Sequence, residues 1–367
     1  MYRQRGRKKE MRLNTKLCEI LGIDYPIIQA GMAGGPTTVE LVASVSNAGG
    51  LGTLGAAYMK PEEIRAAIRR IKEQTSKPFA VNLFCTDWQD QYAGVEESQK
   101  VLNAMRVKLD LKELEKRVIT NNFFEDQFDV LVTEKVPVIS TAFGILPREK
   151  MAAVKNIGML VTTMVTTVRE ALLAEKEGAD ILIAQGSDAG GHRGTFEIEQ
   201  NTNGAVIGTF SLVPQVVDAV SLPVVAAGGI MDSRGLVAAL ALGAQGIQMG
   251  TAFLTTLESG AHPVYKQALI NSTEESTEIT KVFSGRPARG IKNAFIQDYQ
   301  NANIAPADFP TQNTLTNDIR REAAIQNNSQ YMSLWAGQGT RLLQNGISAE
   351  QLIRDLVAGA ERMLEVK

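Results

Sequence analysis

A chain with two histidines in 367 residues places one of them, His192, in the run AQGSDAGGHRG (184–194), among four glycines. Imidazole has an unperturbed pKa of about 6.5, so it can give or take a proton at neutral pH. Glycines around it remove the side chains that would keep a flat ligand from lying against the backbone. Gln185, just before them, is placed to hydrogen-bond the polar edge of such a ligand. Two further glycine turns, Gly228–Gly229 in VVAAGGI and Gly250–Thr251 in QMGTAF, offer bare amides suited to a phosphate. Hydrolytic chemistry would call for paired carboxylates, a metal cluster or an activated Ser or Cys, and none stands beside these turns. Amide-rich, charge-poor loops point instead to a bound cofactor that does the chemistry while the chain binds and orients it.

The elements that must position these residues are eight short β-branched or apolar runs, at 27–30, 51–55, 79–82, 136–140, 158–163, 181–184, 223–227 and 246–249. Amphipathic helical stretches alternate with them, several opening on Thr, Ser or Asp and closing on Gly. Eight βα units predict a (β/α)8 TIM barrel, whose functional groups stand at the C-terminal strand ends. A doubly wound sheet fits less well, because the glycines at 31, 34 and 35 lack the G-x-G-x-x-G spacing. The strand-end rule selects Gly31 and Met32 after the first strand and Asn82 on the third. It also selects Gln185 and Gly190 at and after the end of the sixth, Gly229 after the seventh, and Gly250 and Thr251 after the eighth. The phosphate grip is expected at Gly229, Gly250 and Thr251.

The expected organisation is a basic tail (1–12), a barrel (13–84 and 122–258), a charged, largely helical insertion after the third strand (85–121), and a helical extension packed on the barrel (259–367). The insertion reads either as a lid over the active-site face or as a solvated excursion. With 38 Lys and Arg against 40 Asp and Glu, the chain has no basic field for nucleic acid. No apolar run has the roughly 18 residues of a membrane span. Cys18 and Cys85 make no disulfide framework, and with two histidines no zinc site is expected; a reducing, cytoplasmic setting follows. His262, in SGAHPVYK, reads as structural.

Seven motifs in order, YPIIQAGMAGG, FAVNLF, AQGSDAGGHRG, VVAAGGI, GAQGIQMGTAF, FSGRPARG and WAGQG, resemble the nitronate monooxygenases, flavoenzyme barrels related to the FabK-type enoyl-ACP reductases. The resemblance spans about residues 13–345. It implies FMN as cofactor, held by Gly31, Met32, Asn82, Gln185, Gly190, Gly229 and Gln248–Thr251. It also implies that His192 is the catalytic residue, as base or as electrostatic partner of the substrate anion. The implied reaction oxidises an alkyl nitronate with O2 to a carbonyl compound and nitrite; a homodimer is compatible with it. The alternative is an NAD(P)H-dependent flavin reductase acting on enoyl-ACP or a quinone, in which the motif more often reads GGHIG than GGHRG. A non-catalytic flavin- or phosphate-binding module, and a barrel dehydrogenase using Cys85 as nucleophile, are weaker readings.

Overall fold

The computed structural model describes residues 13–198 and 202–365; the basic tail at 1–12 lies outside the described residues. The strands in chain order are β1 (Ile27–Gln29), β2 (Gly52–Gly55), β3 (Phe79–Phe84), β4 (Val138–Ala142), β5 (Leu160–Val165), β6 (Ile181–Gln185), β7 (Gly191–His192), β8 (Val224–Ala227), β9 (Gly246–Met249), β10 (Thr277–Thr280) and β11 (Ala288–Ile291). Eight of them form one parallel sheet in the order β1-β9-β8-β6-β5-β4-β3-β2. A bridge between Ile28 and Leu51 joins its two edges, so the sheet closes on itself and the (β/α)8 barrel is formed. Closure leaves no exposed strand edge.

The observed strands follow the expected runs, with two displacements. The runs at 136–140 and 158–163 begin two residues early, because their first residues finish the preceding helices. Val136 N–H returns to Leu131 O at 3.1 Å and Met159 N–H to Val154 O at 3.0 Å, with Lys135 and Gly158 in the left-handed region between. These are helix C-caps, and their amides are committed before the strand starts.

Inside the barrel, polarity changes along the axis. Leu51, Ala80, Val138, Leu160 and Ile183 pack with Leu17, Cys18 and Leu21 of the helix Lys16–Leu21, which plugs the N-terminal end. Two residues further along the strands, on the same face, stand Thr53, Asn82, Ser140, Thr162 and Gln185, all buried. The closed end is therefore hydrocarbon and the opposite end presents hydrogen-bonding groups, which is where a ligand must sit.

Two excursions cover that polar end. The segment after β3 contributes the helix Val95–Lys108 and then runs without regular structure to the helix Phe124–Thr133. Its Leu102, Met105 and Leu109 pack with Phe283, Phe295, Tyr299, Leu315 and Ile319 from the region beyond 259. Arg106, fully buried, binds both Asp318 carboxylate oxygens, at 2.8 and 3.0 Å, and donates to Leu315 O at 2.6 Å. The region beyond 259 is not wholly helical. Its β10 and β11 pair antiparallel, and β11 pairs with β7 from the loop after β6. The last helix, Ala349–Leu364, buries Leu352, Ile353, Leu356 and Val357 and packs against the helices Ser233–Ala241 and Val39–Asn47. It thereby fills the outer layer between the seventh and first units. No helix of the described residues is long and apolar enough to cross a membrane.

Candidate active site

The loop after β6 carries His192 into a small sheet, where its backbone pairs with Ala288 and Arg193 N–H donates to Pro287 O at 2.8 Å. Gln185 braces the same loop: its side-chain amide donates to His192 O at 3.0 Å and accepts from Gly194 N–H at 2.8 Å. One N–H and one lone pair of that amide are left for a ligand. Arg193, with 0% exposure, donates to Gly186 O and Gln185 O, both at 2.8 Å, and sits against Ala205 O at 3.4 Å. The Arg of GGHRG is thus an internal strut, and His192 is held from three directions.

The His192 ring is half-buried between aromatic side chains, with centroids 5.6 Å from Phe143, 6.3 Å from Phe84 and 5.3 Å from Trp335. Its Nε2 lies 2.8 Å from Ser284 Oγ. Ser284 Oγ donates to Arg286 O at 3.2 Å and accepts from Arg286 N–H at 3.3 Å, so its remaining lone pair receives Nε2–H. With the Ser284 hydroxyl hydrogen on Arg286 O, the tautomer has Nε2 protonated and Nδ1 as the free base. Desolvation first, then the positive charges of Arg286 and Arg320, push the His192 pKa down to about 3. The ring is therefore neutral at physiological pH, and a weaker base than free imidazole until a negative charge is brought beside it.

A stability consequence follows. The unfolded chain binds a proton at His192 below pH 6.5, whereas the folded chain resists until about 3. Stability is complete above pH 6.5 and falls as pH drops through this window, by at most about 1.4 kcal/mol per pH unit for one group. The urea midpoint between pH 7 and 4 should fall less steeply in His192→Gln than in the parent protein; equal slopes would assign the loss to other groups.

The glycine turns of the other loops meet at the same end. Gly228 and Gly229 have φ of +113° and +70°, a region that other residues rarely occupy. Thr209 Oγ1 ties down Gly228 O at 3.0 Å and Asp188 Oδ2 at 2.8 Å. A Cβ on Gly190 would stand 2.4 Å from Gly337 N; this glycine lets the WAGQG segment cross the His192 loop. Gly337 N–H in turn donates to Thr251 Oγ1 at 3.1 Å, leaving the Thr251 hydroxyl hydrogen free to donate. Gly250 has room above it, its nearest neighbours being Ala30 Cβ and Met32 Sδ at 3.6 Å from the place a Cβ would take. Gly31 packs on Asn82, whose amide donates to Ser140 Oγ at 3.1 Å. Gln248 and Met249 end β9, buried beside this turn. All the residues selected from strand ends therefore lie on the loops or last turns of one barrel end.

Sequence reasoning missed Ser284, Arg286 and Trp335. They lie far along the chain in FSGRPARG and WAGQG, motifs visible only as part of a resemblance, and only the β7–β11 pairing brings them to His192. Cys85 lacks the setting of an activated nucleophile: burial pushes its thiol up to about 12, the opposite of the shift that activates a cysteine. His262 caps the helix Pro263–Ile270, its Nδ1 accepting from Val264 N–H at 3.3 Å, and is structural as expected.

A closed barrel with a polar, glycine-turned mouth and one neutral histidine is a ligand-binding barrel with its site at the C-terminal strand ends. The family model for nitronate monooxygenase matches residues 14–359. A protein of Staphylococcus saprophyticus named "Probable nitronate monooxygenase" is 45% identical over 355 residues, covering 96% of this chain and 99% of that protein. A Staphylococcus haemolyticus protein of the same name is 45% identical over 357 residues, covering 96% and 99%. Among solved structures, nitroalkane oxidase from Streptomyces ansochromogenes superposes with a TM-score of 0.87 at 38% identity, covering 95% of this chain and 99% of that one. FabK from Thermotoga maritima superposes with a TM-score of 0.77 at 31% identity, covering 96% and 98%. The chain belongs to the nitronate monooxygenase family, a family of oxidoreductases.

Proposed function

We propose that this protein is an FMN-dependent nitronate monooxygenase, oxidising alkyl nitronates with O2 to a carbonyl compound and nitrite, with His192 as its catalytic residue. The observation that carries the reading is a neutral, braced histidine at the glycine-turned mouth of a barrel that matches this family almost end to end.

The residues fit the cofactor. Thr53 Oγ1 is buried without a partner at the polar end of the barrel, so a ligand there would satisfy it. Gly229, Gly250 and the Thr251 hydroxyl would hold the phosphate, and Gly31, Met32, Asn82, Gln185, Gly190, Gln248 and Met249 would surround the ring. Bound FMN supplies an electron-pair acceptor and a route to O2, chemistry for which the chain has no group of its own. His192 Nδ1 can take the α-proton of a neutral nitroalkane, and the resulting imidazolium would then face the anion it created. Phe84, Phe143 and Trp335 exclude water around that pair and strengthen its attraction.

A second reading, an NAD(P)H-dependent reductase acting on enoyl-ACP or a quinone, is favoured by the superposition on FabK. Anaerobic mixing separates the two. Ethylnitronate should bleach the bound flavin and NADH or NADPH should leave it oxidised; the reverse pattern would establish the reductase. A colourless protein that takes up no added FMN would remove both.

A further inference from the structure

The aromatic wall beside His192 contains donors with nothing to donate to. Tyr58 Oη, Trp88 Nε1 and Arg286 Nε are buried and without a hydrogen-bond partner. They share one cluster. Tyr58 meets Phe84 edge-on at 5.4 Å and Trp88 at 6.4 Å, Phe84 meets Phe143 at 4.4 Å, and the Arg286 guanidinium lies 4.1 Å from the Phe143 centroid. Burying a donor unpaired is costly, and three in one place call for a common acceptor.

The charges nearest this cluster are positive; the carboxylates of Glu170 and Asp318 act on Arg286 and Arg320 only from beyond ion-pair distance. Arg286, 4% exposed, donates to Thr86 Oγ1 at 3.2 Å and to the carbonyls of Thr195 and Phe196. Arg320 donates to Asn313 O at 2.8 Å and Thr316 O at 3.3 Å. Among the described residues neither guanidinium is in an ion pair; Arg106 and Asp318 hold each other instead. The positive fields of both arginines reach Tyr58 and His192. Unpaired buried donors beside two guanidinium groups that lack a contact counter-ion favour a partner that is negative, rich in acceptors and thin enough to enter between aromatic faces. A planar oxyanion has those properties, and a guanidinium fork matches it.

We propose that Tyr58, Arg286 and Arg320 form an oxyanion subsite that grips a flat anionic group of the substrate and so sets the substrate's orientation against His192. It rests on the preceding functional reading only for the identity of that anion: the nitronate group itself, or a second carboxylate on the same molecule.

The test uses the FMN-loaded holoprotein and nitrate, a flat oxyanion that does not react. Nitrate should raise the melting temperature and compete with ethylnitronate. Tyr58→Phe removes only an oxygen with no partner, so without nitrate it should melt no lower than the parent, yet bind nitrate about tenfold more weakly. Arg320→Gln should lose at least as much. Arg286→Lys is preferred to a neutral replacement, because Arg286 also anchors backbone carbonyls and its neutral variant could misfold. KM values then identify the group gripped. Equal rises for ethylnitronate and propionate 3-nitronate assign the nitronate, and a rise confined to propionate 3-nitronate assigns the carboxylate; either supports the subsite. Nitrate affinity within about twofold of the parent in both Tyr58→Phe and Arg320→Gln, or no binding by the parent, would overturn it. Intact nitrate binding without turnover of any nitronate would instead remove the functional reading and leave the subsite standing.

Discussion

His192→Ala should lower turnover of neutral nitroethane by about 10²- to 10⁴-fold while the flavin spectrum stays that of the parent. The free Nδ1 makes this side chain able to accept a proton once the substrate's own charge offsets the desolvation that weakens it, and neutral nitroethane must lose its α-proton before it can be oxidised. Preformed ethylnitronate has already lost that proton, so the same variant should be impaired less with it. Steady-state kinetics with both substrates measure the difference. A uniform loss would mean that His192 acts on the anion electrostatically, and no loss with either would remove it from the chemistry. His192→Asn offers a polar control of similar size that cannot act as the base.

The second large effect is expected at Arg193. Among the described residues its guanidinium is the sole side-chain donor to Gly186 O and Gln185 O in the loop that carries His192, and it is fully buried. Arg193→Ile would take the guanidinium from Gln185 O and leave Gly186 O with Ala189 N–H alone, at 3.2 Å, at a cost of roughly 2–5 kcal/mol. A lowered urea midpoint with unchanged m would report this. Turnover should fall as well, because Gln185, which braces His192, sits on the freed segment. Arg193→Lys keeps the charge but cannot reach two carbonyls as a fork does, so it should fall between Ile and the parent. A stable, fully active Arg193→Ile would show that the β7–β11 pairing alone fixes the loop. The isoleucine is the residue of the GGHIG pattern, so in barrels that carry it something else must support this turn.

The strands were legible because each is a short β-branched run buried on both faces, such as VVAA at 224–227 and ILIAQ at 181–185. Their starts were less so, since Val136 and Met159 look like strand residues while their amides cap helices. The prominence of His192 could be read from its rarity and its glycines. Its environment could not: Ser284 is 92 residues away, and β7 is two residues long and half glycine, with no periodicity to detect. Gln185 illustrates a subtler limit. Its place at a strand end was visible, but that its amide bridges His192 O and Gly194 N–H depends on the turn's shape. The unpaired donors of Tyr58 and Trp88 are visible in coordinates alone, because a missing partner is a statement about everything around a group.

The helix Ala349–Leu364 lies between the outer helices of the first and seventh units, and this affects how the protein is made. During synthesis the ring has a gap on that side until the residues beyond 349 have left the ribosome. Leu41, Val45, Leu236 and Ala239, which belong to the same cluster as Leu352 and Ile353, face water or a chaperone until then. Ser284 and Trp335, which complete the surroundings of His192, emerge only shortly before. A chain cut short before residue 349 would therefore have an unsealed core, prone to aggregate and to be degraded. The surroundings of His192 are thus complete only after residue 335 has been added.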